Sequence, residues 1–335
     1  MIHSKSLKET YSAELNAYID HEKTALELMH SIGKLLFEKN IELVLFRNPL
    51  IDKSIGEILN LHQYASQVVG KPIQVTDSAR LATEIYNMDI APAKIDIGKL
   101  ANEWKNEGED FNSMTKFIED KLSHFDQFDS SAIEPRDVVL FGFGRIGRLA
   151  ARELIKQAGK GQQLRLRAIV TRGNAESDIV KRASLLRNDS VHGAFRGSVI
   201  EDAKNSSIII NGQQVHMIGA SNPEDIDYTS YGINNALIVD NTGVFKDREA
   251  LGRHLKSKGS SKVLLTAPGS GVPNIVYGIN HKELDLENES IFSAASCTTN
   301  AISPVLKIVE EDVVPDMFKI HQNFPNPFNP ATLVK

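Results

Sequence analysis

The one cysteine of this 335-residue chain, Cys297, stands in Ser296-Cys297-Thr298-Thr299-Asn300, directly ahead of an apolar run with helical pattern. A thiol among small hydroxyl residues at a strand-to-helix junction has the character of a nucleophile, because the N–H groups of a helix N-terminus favour thiolate there. The alternative is an inert, buried small residue, and spacing alone does not separate the two. A nucleophile also requires a base and a pocket. A second chemical signal lies upstream, where Gly142-Phe143-Gly144-Arg145-Ile146-Gly147 forms a G-x-G-x-x-G run between an apolar strand pattern and a helical one. In that setting Gly142 permits a tight turn, Gly144 lets a pyrophosphate approach the backbone, and Gly147 allows close helix–strand packing. A purely structural glycine turn is the alternative.

A dinucleotide site of this kind calls for an acid at the end of the second strand, where it holds the ribose hydroxyls. Here that strand ends Ala168-Ile169-Val170-Thr171-Arg172, with no carboxylate. Thr171 followed by Arg172 removes repulsion against a 2′-phosphate and adds a cation able to pair with it, unless Arg172 simply faces solvent. The expected cofactor is a nicotinamide dinucleotide, NAD or NADP.

The elements that must position these residues follow from periodicity. Residues 1 to about 128 read as helical, with apolar residues three or four apart at Leu28, Ile32 and Leu35, at Ile51, Ile55 and Ile58, and at Phe111, Met114, Ile118, Leu122 and Phe125. His21, His30, His62 and His124 lack catalytic spacing and read as solvated or structural. The polar stretch Asp129-Ser130-Ser131-Ala132-Ile133-Glu134-Pro135 marks a boundary. Beyond it short apolar strands alternate with helices, the signature of a parallel α/β sheet of doubly wound, Rossmann type. Strands are expected at Val138–Phe141, Leu164–Thr171, Ala236–Asp240, Lys262–Leu265, Ile275–Tyr277 and Ile291–Ala294, with a helix from Arg145 to about Ala158. Asn211-Gly212 between Ile208–Ile210 and Gln213–Val215 signals a hairpin. The expected domains are a helical extension over 1–134, a dinucleotide-binding domain with the cysteine helix over 135–312, and a tail over 313–335.

Composition sets the outer bounds. With 41% hydrophobic and 24% charged residues the chain is ordinary globular material, and its net charge of −5 offers no general attraction to nucleic acid or anionic membrane. A single cysteine forms no internal disulfide, and the polar start Met1-Ile2-His3-Ser4-Lys5 lacks an apolar signal core, which favours the cytoplasm. No apolar run approaches the ~18 residues of a membrane-spanning helix.

Taken in order, Val138 to Gly147, Asn188-Asp189-Ser190-Val191-His192-Gly193, Asp240-Asn241-Thr242-Gly243-Val244-Phe245, Thr266-Ala267-Pro268, Tyr277-Gly278-Ile279-Asn280-His281 and Ala295 to Asn300 resemble the phosphorylating glyceraldehyde-3-phosphate dehydrogenase family. The resemblance covers about Asp137 to Val309. It implies that Cys297 attacks an aldehyde, that hydride passes to the nicotinamide, and that inorganic phosphate cleaves the resulting thioester. Ser296 and Thr298 are similar to residues that help bind substrate or phosphate. Arg145 and Ile146 resemble the backbone phosphate binders, Thr266 a contact beside the nicotinamide ribose, and Ser221 stands where a basic residue near the adenine is common. Relatives in this family are homotetramers acting on a small phosphorylated aldehyde.

The chain also departs from the family pattern. The helical leader belongs only to longer forms, and after Ala301–Val309 the expected histidine motif and sheet domain do not follow. His321 lies near the place of the family's acid–base histidine but in a different surrounding motif. The segment Asn323-Phe324-Pro325-Asn326-Pro327-Phe328-Asn329-Pro330 resembles the opening of a type IX secretion sorting domain. These departures leave alternatives to an active dehydrogenase: a truncated NAD(P)-binding module without turnover, an erythrose-4-phosphate dehydrogenase-like enzyme, or a scaffold using the leader. Loss of the sheet domain is expected to leave apolar surface bare around the cysteine helix and to promote association.

Overall fold

The computed structural model describes residues 2–67, 70–123, 135–158 and 163–310, with side chains from Tyr11 onward. The chain divides into two compact units, residues 1–139 with 147–219, and residues 140–146 with 220 onward. Among the described residues no helix is long and apolar enough to cross a membrane.

In the first unit the leader begins with the long helix α1 (Ile2–Lys39), then β1 (Glu42–Leu45), β2 (Asn48–Pro49), α2 (Ile55–Gln67), α3 (Val75–Asn87), β3 (Lys94–Asp96), α4 (Ile97–Glu107) and α5 (Met114–Leu122). The expected helical stripes are the ones that bury: Leu28, Ile32 and Leu35 meet Ile58, Leu81, Ile85, Phe117 and Ile118 in one core. Phe125 and His124 lie outside the described residues. The leader is not all helix, because β1 pairs antiparallel with β2 and parallel with β3. Such two- to four-residue strands are too short to show period-2 alternation, so the helical pattern hid them. One carboxylate joins this small sheet to the helix after it. Asp96 accepts from Gly98 N and Lys99 N at the start of α4 and from Phe46 N and Arg47 N in the β1–β2 turn. Phe46 and Arg47 both have positive φ, which those two bonds help to hold. His62 is a structural residue, its ring nitrogens 2.8 Å from Ile58 O and 2.9 Å from Ser78 Oγ, and burial depresses its pKa.

The same unit continues through β4 (Arg136–Phe141), α6 (Arg145–Gln157), β5 (Leu164–Thr171), α7 (Glu176–Arg187), β6 (Asn188–Asp189), β7 (Gly193–Ala194), β8 (Val199–Asp202), β9 (Ser207–Ile210) and β10 (Gln213–Gly219). Its strands lie in the order β4-β5-β10-β9-β8. β5 and β10 are parallel, and the hairpin expected at Asn211-Gly212 joins antiparallel β9 and β10, both turn residues having positive φ. That pair of φ values is what the Asn-Gly turn supplies.

The second unit takes the last residues of β4 and adds β11 (Ala236–Asp240), α8 (Arg248–Gly252), β12 (Ser260–Leu265), β13 (Ile291–Ser293) and α9 (Cys297–Ile308). Strands β11, β12 and β13 are parallel neighbours, and Asn241 N donates to Phe141 O at the end of β4. The strand expected at Ile275–Tyr277 is reduced to a loop with one parallel bridge, Asn274 to Ser293, where Ile275 N donates to Ser293 O. Beyond that bridge Asn280 Oδ1 accepts from Val276 N and Asn280 Nδ2 donates to Asn274 O, so one asparagine side chain takes backbone groups a longer ladder needs. On α9, Ile302, Val305, Leu306 and Ile308 are exposed among the described residues.

Candidate functional site

Within the second unit, parallel register places four chain segments at one edge of the sheet. Asp240 pairs with Leu265 and Leu265 with Ser293, so the segments after β11, β12 and β13 leave the sheet side by side with the glycine turn after β4. Open α/β sheets bind ligands at this carboxyl edge. Of the expected residues, Gly142, Gly144, Arg145, Ile146, Thr266, Ser296, Cys297 and Thr298 all fall in these segments.

The glycine turn has a physical reason at each described position. Gly142 has φ 95°, and a Cβ there would lie 2.9 Å from Thr242 Cγ2 and 3.1 Å from Thr242 N. Only glycine fits. Nothing stands within 4 Å of a Cβ placed on Gly144, which leaves its backbone open to a pyrophosphate. Gly144, Arg145 and Ile146 are exposed at the start of α6, whose first N–H groups lack intrahelical partners, while Gly147 is buried.

Beneath this edge lies a buried pair that the motifs did not announce. Asp240 and His254 are both fully buried, with His254 Nε2 2.8 Å from Asp240 Oδ2. Asp240 Oδ1 accepts from Thr242 N and Thr242 Oγ1, both at 2.8 Å, which fixes the loop against which Gly142 packs. The backbone oxygen of Asp240 accepts from Thr266 N, and Thr266 Oγ1 lies 3.0 Å from that oxygen and 3.1 Å from Asn241 Oδ1. Phe141 and Phe245 flank the His254 ring edge-on, with centroids 4.7 and 5.2 Å away. Asp240 had stood in the Asp-Asn-Thr-Gly run, but its partner fourteen residues later carries no local signal.

The cysteine signature explains itself locally. Ser296 caps α9, its Oγ accepting from Thr299 N at 2.9 Å and lying 2.7 Å from Thr299 Oγ1. Asn300 Nδ2 donates to Ala294 O and Ser296 O, and Ala295 enters the helix with φ 56°. Cys297 is thereby the first helical residue and is exposed, its Sγ 4.0 Å from Thr298 Oγ1. Among the described residues the thiol is therefore not buried. His321 lies outside the described residues. β13 is anchored by Glu289, which takes two bonds from Arg248 at 3.1 and 2.6 Å and accepts from Ser290 N and Ile291 N.

The first unit contributes the end of β5. Thr171 is buried and its Oγ1 donates to Gly173 O at 2.6 Å, so the side chain closes its own turn, and Arg172 is exposed. An acid of the next helix lies close by: a Cβ on Gly173 would meet Asp178 Oδ2 at 2.6 Å. Gly219, paired with Thr171, faces Asn174 in the same way, a Cβ there meeting Asn174 Oδ1 at 2.8 Å. Ser221 is exposed in the second unit.

Residues 136–248 match the family described as "Glyceraldehyde 3-phosphate dehydrogenase, NAD binding domain". The chain is 44% identical over 284 residues to a glyceraldehyde-3-phosphate dehydrogenase-like protein of Pseudomonas aeruginosa, an alignment covering 84% of this chain and 61% of that protein. It is 37% identical over 175 residues to glyceraldehyde-3-phosphate dehydrogenase 1 of Agaricus bisporus, covering 52% of this chain and 48% of that one. Against glyceraldehyde-3-phosphate dehydrogenase 2 of Bacillus subtilis the identity is 34% over 176 residues, with the same coverages of 52% and 48%. The chain thus spans roughly half to three-fifths of the length of these relatives. Since 284 aligned residues do not fit after residue 134, the Pseudomonas protein shares part of the leader.

Two outcomes are expected. Asp240→Ala leaves Thr242 N and the His254 ring without their buried acceptor, lowering unfolding free energy by about 3 kcal/mol in urea titration, with NAD affinity falling as the loop loosens. For Glu289, the Arg248 guanidinium holds the carboxyl down at about 2, from an ordinary 4.5. A depressed folded-state pKa adds stability above pH 4.5 that is lost as pH falls toward 2. Glu289→Gln is expected to flatten that part of the Tm-against-pH curve, a difference read by calorimetry.

Proposed function

The chain belongs to the glyceraldehyde-3-phosphate dehydrogenase family through its NAD-binding domain, and on that premise we propose that it binds NAD and oxidises a small phosphorylated aldehyde through a Cys297 thioester. The observation that carries the proposal is the shared sheet edge: the open glycine turn and an exposed thiol at a helix N-terminus leave one parallel sheet in the same direction. The Gly142–Ile146 turn would hold the pyrophosphate, since a side chain at Gly142 would strike Thr242 and the space over Gly144 is free. NAD supplies the hydride acceptor when bound.

The chemistry of this chain's own residues is covalent. Cys297 Sγ attacks the carbonyl carbon of the aldehyde, giving a thiohemiacetal; loss of hydride from carbon and of the hydroxyl proton leaves a thioester. Attack by inorganic phosphate on the acyl carbon expels Sγ and gives the acyl phosphate. With Cys297 as the first residue of α9, the helix's first N–H groups would be the donors for the carbonyl oxygen on which negative charge develops. Glyceraldehyde 3-phosphate is the substrate proposed, with erythrose 4-phosphate as its nearest competitor. A second reading, NAD binding without turnover, draws support from the surroundings of Sγ, whose recorded polar contact among the described residues is Thr298 Oγ1 at 4.0 Å.

The test is NADH formation from NAD, glyceraldehyde 3-phosphate and phosphate, with acyl-enzyme trapped for mass spectrometry when phosphate is omitted. Activity that falls by roughly 10³-fold or more in Cys297→Ser supports the enzyme. NAD binding by calorimetry with neither NADH nor acyl adduct supports the module instead. Cofactor choice has its own test. Asp178 restores negative charge beside the β5 end, where Thr171 and Arg172 alone favour a 2′-phosphate, so the proposal is a preference for NAD over NADP. Asp178→Asn is expected to narrow that preference about tenfold, or about 1.4 kcal/mol, in the ratio of the two dissociation constants.

A further inference from the structure

Helix α1 has two apolar faces. One, formed by Ala25, Leu28, Ile32 and Leu35, is buried in the core of the leader. The other is bare, with Leu15 44%, Ile19 38%, Leu26 51% and Phe37 56% exposed. At 3.6 residues per turn these four and Gly33 fall in a stripe about 40° wide, turned about 140° from the buried face. From Tyr11 to His21 every residue is exposed, so this stretch of the helix buries no side chain in the leader's core. A helix of that kind is marginal by itself.

Gly33 has no explanation inside the chain. Glycine weakens a helix interior, and nothing lies within 4 Å of the Cβ it lacks. Half-buried beside the exposed apolar residues of this stripe, however, it lets another backbone approach.

The intervals along Leu15, Ile19, Leu26, Gly33 and Phe37 are 4, 7, 7 and 4 residues, the same from either end. We propose that this stripe is the interface with a second copy of the chain, the two α1 helices pairing antiparallel about a two-fold axis at Leu26. Two-fold pairing requires a self-complementary surface, and the palindromic spacing is one. It sets Leu26 against its symmetry mate, Ile19 into the gap over Gly33 of the second copy, and Leu15 against Phe37. The exposed stretch of each helix then lies along the packed half of the other. The paired stretch, about 33 Å long, amounts to about three heptads. This interface rests on the leader alone and is independent of the NAD and thioester chemistry.

Analytical ultracentrifugation of the full chain tests it, alongside disulfide trapping in a Cys297→Ser background that makes Leu26→Cys the sole thiol. Support is a dimer whose dissociation constant rises about tenfold or more in Leu26→Glu and in Gly33→Leu. In the free space over Gly33 the leucine leaves thermal unfolding at or above that of the parent, so loss of the dimer is not loss of fold. Leu26→Cys cross-links to itself, whereas Ala17→Cys on the opposite, exposed face does not. The proposal is overturned by a monomeric full chain, by association that survives both α1 variants, by cross-linking no faster at Leu26 than at Ala17, or by association abolished through Val305→Glu on α9 instead.

Discussion

The Asp240 carboxylate is the constraint on which the candidate site depends. A buried carboxylate needs every lone pair answered, and here the answers come from Thr242 N, Thr242 Oγ1 and His254 Nε2, all at 2.8 Å. Those bonds hold the loop after β11 in one place. Thr242 then stands against Gly142, the backbone oxygen of Asp240 engages Thr266, and Asn241 N closes onto Phe141 O. Three of the four segments at the ligand edge are therefore set by one side chain and its backbone.

The cysteine segment is set differently, by a cap. Ser296 Oγ takes Thr299 N, Asn300 Nδ2 takes two carbonyl oxygens, and Ala295 bears a left-handed φ of 56° to make the turn. Every polar residue of the signature except Thr298 is thus engaged in placing Cys297 as the first residue of α9. The residues that resemble substrate binders are also the residues that build the helix start. Both roles follow from small hydroxyl side chains at a helix N-terminus.

Much of this was legible in the sequence because the physics is local. The glycine turn, the Asn211-Gly212 hairpin, the helical stripe at Leu28, Ile32 and Leu35, and strands Leu164–Thr171 and Ala236–Asp240 each depend on residues adjacent in the chain. Where the sequence misled, a competing local bond was the cause. Ile275–Tyr277 has strand composition, yet pairing stops after one bridge to β13 and the Asn280 side chain takes Val276 N. The two- to four-residue strands of the leader were invisible because alternation needs more residues than they possess.

By itself the sequence determined the chemical types at the edge: a turn that only glycine can make, a capped helix beginning with the sole cysteine, and a strand β5 without a terminal acid. The tertiary structure decided which distant groups join them. It brought Asp178 beside Gly173, and it buried His254 against Asp240 beneath the turn. It also left one face of α1 bare while burying another. Local conformation is encoded by near neighbours through propensity and capping, but charge pairing and burial are settled only when chain packing removes water from particular groups.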